Sequence, residues 1–382
     1  MNSSQDSSCV DVRSYLWKEK GDLTYLPILH LFFGLLYTAI ISCGVAGNAF
    51  VIVAVLSNKS LQSVRNLFIV SLSMSDIVVC FVSGTITPIS AFTKVWIFGS
   101  HLCNLVPVIQ GTSLCFSTFT LMVIAVDRFI LIIFPTRRPM QRNHAFPLIV
   151  ANVLIAILIS LPMYFRYKLQ IMNFREGMPF CGQICNEDWA PNDDFSFVLF
   201  DRSSYGTMLY VVQFGIPLIV IVFCYSMISL RIGQGVLMRS QSAVHENVVM
   251  TEQRRNALRR RMRTNRMLIA MVAVFVCCWM PTVVFNFLRD YEFLPSFVAQ
   301  QDYLYGVITH CISIMSTVWN PILYALLNEQ FRVAFKTLLD ILRGRPSHVK
   351  LDRRCSRLMS TAYVDTTRSD TALIKVHKMS SL

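Results

Sequence analysis

Apolar residues in this chain gather into seven long blocks, at about 27–56, 66–92, 103–134, 145–165, 205–230, 266–288 and 303–327. Each block reaches the roughly 20 residues that a helix needs to cross about 30 Å of hydrocarbon. Lipid offers no partners to backbone groups, so a chain that enters it repeatedly must satisfy them within helices. The pattern predicts an all-α, seven-transmembrane helix bundle over 27–327, behind a polar N-terminal tail at 1–26. The blocks share no common period, so they are not a repeat array. After the last block, "NEQFRVAFKTLL" repeats Phe331, Phe335 and Leu338 at helical spacing behind a polar start. That predicts an amphipathic helix over 328–340 lying along the inner membrane surface. The rest, 341–382, is rich in Ser, Thr, Arg and Lys and reads as a disordered cytoplasmic tail with hydroxyls open to phosphorylation.

Composition agrees with a membrane class. Of 382 residues 54% are hydrophobic and 15% charged, where a soluble domain carries about a quarter charged. Charge then sets the orientation. With the N-terminus outside, inner segments hold 26 of the 35 Lys and Arg residues, and outer segments hold 13 of the 22 acids. This asymmetry predicts a plasma-membrane protein with an extracellular N-terminus and a cytoplasmic C-terminus. The first residues lack the basic start and apolar core of a signal peptide, and Asn2-Ser3-Ser4 is a glycosylation sequon. The basic run "RRNALRRRMRTNR", Arg254 to Arg266, adjoins a span, which favours membrane lipid or an acidic cytosolic partner over nucleic acid.

Eight of the twelve cysteines fall in predicted spans or the cytoplasmic tail. Cys9, Cys103, Cys181 and Cys185 face the oxidising side, without zinc-site spacing. A disulfide from Cys103 to the loop between spans four and five has two candidate partners, Cys181 and Cys185. Cys185 is the expected one, and whether Cys9 and Cys181 form a second bridge is left open by the sequence. Cys355 lies well past the amphipathic helix, a weak fit to a palmitoyl anchor.

The polar and proline interruptions carry the chemistry. "GVAGNAFVIVAVL" puts Asn48 in span one and "LSMSD" puts Asp76 in span two. "AVDRF" closes span three, "CWMP" lies in span six and "NPILY" in span seven, while Pro217, Pro281 and Pro321 interrupt the last three spans. Arg128 lies 25 residues after Cys103, about 37 Å along a helix, so Asp127 and Arg128 meet the inner edge of span three. By geometry alone they are compatible with an interfacial charge pair that ends a helix.

Five motifs in order, each in its own span, resemble the rhodopsin-like G-protein-coupled receptors from about Asn48 to Phe335. The resemblance implies that Arg128 is a switch residue held by Asp127 and released toward a heterotrimeric G protein. It implies that Phe275, Trp279, Pro281, Tyr225, Pro321 and Tyr324 are switch positions, and that Asp76, Ser117, Ser316 and Asn320 hold an allosteric sodium ion. Their oxygens suit a hard cation, although a polar network that sets helix packing is the plainer reading. No other cofactor is implied. Arrestin and receptor kinases are the further partners it implies. The chain departs from the family at Phe129, where a tyrosine is usual, and at Asn152 and Val153, near the usual span-four tryptophan. It departs again at Thr118, where a branched aliphatic usually packs on the span-five proline. Arg260-Arg261-Met262 stands where many relatives place an acid opposite the switch arginine, which implies some ligand-independent signalling.

Seven residues past Cys103 stands Gln110, neutral where an amine receptor needs an acid. Thr87 and His310 fall at similar depth, and Asn286 and Asp290 share one side of span six. With "FNFLRD", "HCISIMSTVWNPILYALLN" and "CNEDW", this set resembles the neuropeptide Y and neuropeptide F receptors. It implies a ligand ending in arginine and an amidated aromatic residue. Gln110, Thr87 and His310 would take the amide and ring, and Asn286 and Asp290 the arginine. Glu187, Asp188, Asp193, Asp194 and Glu292 would attract a basic peptide. The plainer readings are an interhelical bond for His310 and a solvated acid for Asp290. Another RF-amide-like peptide is the alternative ligand within this class. A ligand-independent scaffold or scramblase-like protein of the same fold explains none of the pocket polarity. No related halves mark a transporter, and no catalytic pair marks an enzyme.

Overall fold

The structure, a computed structural model, describes residues 9–134, 136–171, 181–189, 201–246 and 252–343. The expectations on Asn2, Asp193, Asp194, Cys355 and the tail from 344 onward lie outside them. Among the described residues, seven helices or helix pairs are long and apolar enough to cross a membrane. The single-helix spans are α2 (Pro27–Ser57), α3 (Val64–Thr93), α4 (Gly99–Ile133) and α5 (Arg142–Arg166). They follow a short N-terminal helix, α1 (Val12–Lys20). Strands β1 (Tyr167–Gln170) and β2 (Ile184–Glu187) form an antiparallel hairpin ladder, with Leu169 opposite Cys185. Span five is α6 (Arg202–Tyr210), a π turn (Val211–Gly215) and α7 (Ile216–Glu246). Span six belongs to α8 (Glu252–Asp290). A single turn, α9 (Ser296–Gln300), leads to span seven, split at Met315 into α10 (Asp302–Ile314) and α11 (Ser316–Leu327). The amphipathic α12 (Glu329–Leu342) follows, its start capped by the Asn328 side chain.

Burial follows the two solvents. Large apolar side chains such as Leu31, Phe146 and Ile219 lie exposed on the outer girdle, where lipid would cover them. The buried core instead runs along the bundle axis, from Val51, Leu72 and Ile124 through Met271 to Tyr324. Phe331 and Leu338 of α12 join that core, so the last helix is packed by its apolar stripe. Its Phe331 ring stacks on Tyr324, with centroids 5.4 Å apart.

Polar contacts fix the span registers where apolar packing alone would allow sliding. Asn48 donates to the carbonyls of Gly44 and Thr317, each at 2.9 Å, tying span one to span seven. Asn152 donates to Thr120 Oγ1 at 2.7 Å and to the Phe116 carbonyl at 3.3 Å. The residue that stands near the usual tryptophan position thus joins spans three and four by hydrogen bonds. Thr118 turns its hydroxyl back to the carbonyls of Leu114 and Cys115. It still lines one small space with Phe214, Pro217 and Phe275, so its contact region beside the span-five proline persists.

Candidate functional site

The face of the bundle that carries the N-terminal segment is held together by cross-links between its loops and span ends. Two disulfides, Cys103–Cys185 and Cys9–Cys181, hold the β hairpin to span three and the N-terminal segment to the hairpin. The first pairing matches the sequence expectation, and the second answers the question the sequence left open. The backbone adds a bond from Cys181 N to the Val10 carbonyl at 2.9 Å and one from Trp96 N to the Gln183 carbonyl at 2.6 Å. Gln301 closes the strap from the other side, accepting from Leu23 N at 2.9 Å and donating to the Gly21 carbonyl at 3.0 Å.

A buried ion pair completes the strap. Lys94 Nζ lies 3.0 Å from Asp22 Oδ2, with side chains only 2% and 4% exposed. The same ammonium sits 3.2 Å from the centre of the Tyr303 ring. Thr24 donates to both oxygens of Asp22 from its hydroxyl and to Oδ1 from its backbone N–H. Burial lowers the Lys94 pKa from its ordinary 10.5 to about 8, against the pull of Asp22.

Beneath this face lie two adjoining cavities of about 240 and 530 Å³. Pro107, Gln110, Tyr167, Thr282, Asn286 and Arg289 line both, so Gln110 and Asn286 stand on the divide. Thr87 and His310 line the larger lobe, on the side of spans two and seven. Glu187 and Asp290 line the smaller one, with Trp279 among its walls. The six candidate ligand residues therefore surround one bipartite cavity.

Their partners differ. His310 is buried, with Tyr37 Oη 2.8 Å from Nδ1 and Ser83 Oγ 3.2 Å from Nε2. Both ring nitrogens are taken, so the interhelical role accounts for its polarity, while the residue also lines the larger lobe. Glu187 accepts from Tyr167 Oη at 2.7 Å and from Trp189 Nε1 at 3.0 Å. Burial first, and then Glu187, hold the Tyr167 phenol well above its ordinary pKa, so it remains a donor. Arg202 Nε stands 3.1 Å from Glu187 Oε2, and its Nη2 stands 3.2 Å from Asp290 Oδ1. Lys168 pairs with Asp188 at 3.5 Å. Among the described residues, Glu187, Asp188 and Asp290 are thus met by the chain's own cations, which the sequence reading of a peptide-attracting acidic surface did not anticipate.

Below the cavity, Trp279 leads to an aromatic series. Its ring centre lies 6.1 Å from Phe275, which stacks on Phe214 at 5.8 Å and 20°. Phe214 and Gln213 are turned inward by the π turn just before Pro217. Asp76 is buried and accepts from Asn320 Nδ2 at 2.9 Å. Ser117 and Ser316 are buried as well, and no Lys or Arg is paired with Asp76 among the described residues. A buried carboxylate with no paired Lys or Arg among the described residues has the ligand chemistry that a hard cation prefers. At the opposite face, Asp127 Oδ2 accepts from Arg128 Nη2 at 2.5 Å and Nε at 3.0 Å. Among the described residues Asp127 is the only acid paired with this arginine. Tyr225 and Tyr324 are buried nearby, and the Phe129 ring lies 5.8 Å from Phe223.

Sequence reasoning missed Arg202, the Asp22–Lys94–Tyr303 cluster and the inward Phe214. Arg202 had one legible signal, its place directly after the helix-capping Asp201.

The sequence profile described as "7 transmembrane receptor (rhodopsin family)" matches residues 47–324. Neuropeptide receptor 3 of Caenorhabditis elegans is 32% identical over 334 residues, covering 87% of this chain and 84% of that protein. Neuropeptide Y receptor type 6 of Mus musculus is 29% identical over 325 residues, 84% of this chain and 82% of its own. The neuropeptide F receptor of Drosophila melanogaster is 30% identical over 326 residues, covering 82% and 63% respectively. With the profile spanning most of the chain and all seven spans in place, the protein belongs to the rhodopsin family of seven-transmembrane receptors.

Proposed function

We propose that this receptor binds an amidated neuropeptide ending in arginine and an aromatic residue, and passes the signal to a heterotrimeric G protein of the inhibitory type. It is a receptor and not an enzyme. The observation that carries the ligand reading is the bipartite cavity. Gln110 and Asn286 stand where the lobes meet, between a smaller lobe that carries Glu187 and Asp290 and a larger one that carries Thr87, His310 and Asp302. A peptide end with a cationic side chain on one side and a neutral amide and ring on the other suits that division. Gln110 can donate to and accept from a primary amide, which a free carboxylate cannot match on the donor side. The names of the relatives support a peptide of neuropeptide Y or F type.

In this reading the cavity opens to the outside of the plasma membrane and the Asp127–Arg128 pair faces the cytoplasm, the orientation that the charge asymmetry favours. Asp76, Ser117, Ser316 and Asn320 hold sodium in the resting state. Basic residues near span six meet anionic lipid, and tail hydroxyls recruit kinases and arrestin after activation. The test is a panel of amidated neuropeptides, including RF-amides, on cells expressing the receptor with a promiscuous G protein. Amidated peptides are expected to signal, with about tenfold or greater loss when the amide becomes a free acid. Equal potency of amide and acid, or an Asp290→Ala receptor with unchanged potency, overturns the assignment.

A further inference from the structure

We infer that Arg202 is an internal occupant of the ligand-arginine subsite, which an incoming peptide arginine must displace. The inference rests on the peptide reading above and adds a residue that sets its specificity. Glu187 comes from β2 and Asp290 from the end of α8, and the one guanidinium that bridges them is supplied by the first residue of α6. This is the arrangement expected of a bound arginine side chain, provided here by the receptor itself.

Three observations make the contact displaceable. First, the charges are close, but neither Arg202 Nε nor Asp290 Oδ1 gains an aligned hydrogen bond from a protein partner. Second, the Arg202 side chain is 42% exposed while Asp290 is 10% exposed, so the cation can leave for solvent and the carboxylate cannot. Third, the backbones do not depend on it. Ser203 Oγ donates to the Asp290 carbonyl at 2.9 Å, and Thr207 and Tyr291 share a 2.9 Å hydroxyl bond, so α6 and α8 stay joined when Arg202 swings away.

Charge balance says why it has to move. Among the described residues the smaller lobe is lined by Arg166, Arg202 and Arg289 against Glu187 and Asp290, one more cation than anion. A peptide arginine entering beside all three would find both carboxylates already neutralised. Replacing Arg202 restores one guanidinium to the same pair. The other oxygen of Asp290 faces Gly206, where even a Cβ would stand 3.2 Å away, so space beside the carboxylate depends on that glycine.

The experiment is competition binding on membranes, with a synthetic peptide ending in Arg-Phe-amide and its citrulline analogue as probes. The receptors are wild type, Arg202→Gln, Arg202→Lys, Asp290→Asn and the Arg202→Gln/Asp290→Asn double variant, each with surface expression measured. Arg202→Gln is expected to bind the arginine peptide about fivefold more tightly, in line with releasing a partly exposed ion pair. It should leave the citrulline peptide unchanged, and Asp290→Asn should cancel the gain. Arg202→Lys, which keeps charge but loses the fork, should fall between. If wild type prefers arginine over citrulline through Asp290, yet Arg202→Gln gives no gain or a loss, the displacement idea fails alone. If wild type does not distinguish the two peptides, the reading of Asp290 as the arginine subsite fails and takes this inference with it.

Discussion

Asp22→Asn tests whether the N-terminal strap is held by charge or by shape. At pH 7 the wild-type Lys94 is charged although buried, with a pKa lowered from 10.5 to about 8. At about 1.36 kcal/mol per pH unit, holding that charge costs the fold on the order of 3 kcal/mol relative to water. Losing Asp22 makes the charged form worse, but the penalty has a ceiling, because lysine can release its proton instead. Release at pH 7 costs about 5 kcal/mol against an unfolded value of 10.5, so the substitution removes at most about 1.5 kcal/mol through Lys94. The introduced asparagine can still accept from Thr24, and Tyr303 still covers the ammonium. The expected result in detergent is an apparent melting temperature lower by a few degrees. The pH dependence gives an independent arm. A lysine whose folded pKa is depressed binds fewer protons folded than unfolded, so its penalty is relieved as pH rises through about 8, and stability climbs toward 10.5. Lys94→Met should abolish that climb, and the Lys94→Met/Asp22→Asn pair should be near neutral. A loss of about 3 kcal/mol or more from Asp22→Asn, twice the ceiling set by lysine deprotonation, would refute the reasoning, as would a flat wild-type profile between the two pKa values.

Gly111→Ala should destabilise by about 1–3 kcal/mol, because its Cβ would stand 2.9 Å from Ser160 Oγ and 3.3 Å from Met163 Sδ. Adding Ser160→Ala should recover much of the lost melting temperature; no recovery would place the clash elsewhere. Asp127→Asn removes the only acid paired with Arg128 among the described residues. Agonist-independent signalling should rise above wild type, and an unchanged baseline at matched expression counts against the pair as a resting-state lock. Asp76→Asn keeps the hydrogen-bonding shape toward Asn320 but removes the charge a cation needs. Agonist affinity in the variant should no longer respond to sodium relative to potassium, and a retained sodium response would rule that site out.

How legible was this site? Five cavity residues could be placed because helical rise converts sequence offsets into depth: Gln110 from Cys103, Thr87 from Asp76, His310 from Pro321, and Asn286 and Asp290 from Trp279. Their hydrogen-bond states could not be read the same way. His310 is satisfied by Tyr37 and Ser83, residues 273 and 227 positions away, and no local pattern announces such a pair. The outer cations were opaque for the same reason. Lys94, Arg202 and Arg289 all look like ordinary charged residues at span ends. Only the folded loops decide that one is buried against Asp22, one bridges Glu187 and Asp290, and one lies over Phe285. Span limits, in contrast, depend on hydropathy within a continuous segment, which is local information.

Span five shows how a legible cause can have an illegible form. Pro217 announces a distortion, since it lacks an N–H and its ring crowds the carbonyl four residues back, that of Gln213. A bend, a 3₁₀ turn or a π turn would each relieve that crowding, and the sequence "YVVQFGIP" does not choose among them. The structure takes the π turn at Val211–Gly215, whose wider winding brings both Gln213 and Phe214 inward. Phe214 then reaches Phe275, and Phe275 reaches Trp279, which borders the smaller lobe of the cavity. The proline distortion is therefore in direct aromatic contact with the wall a ligand would touch.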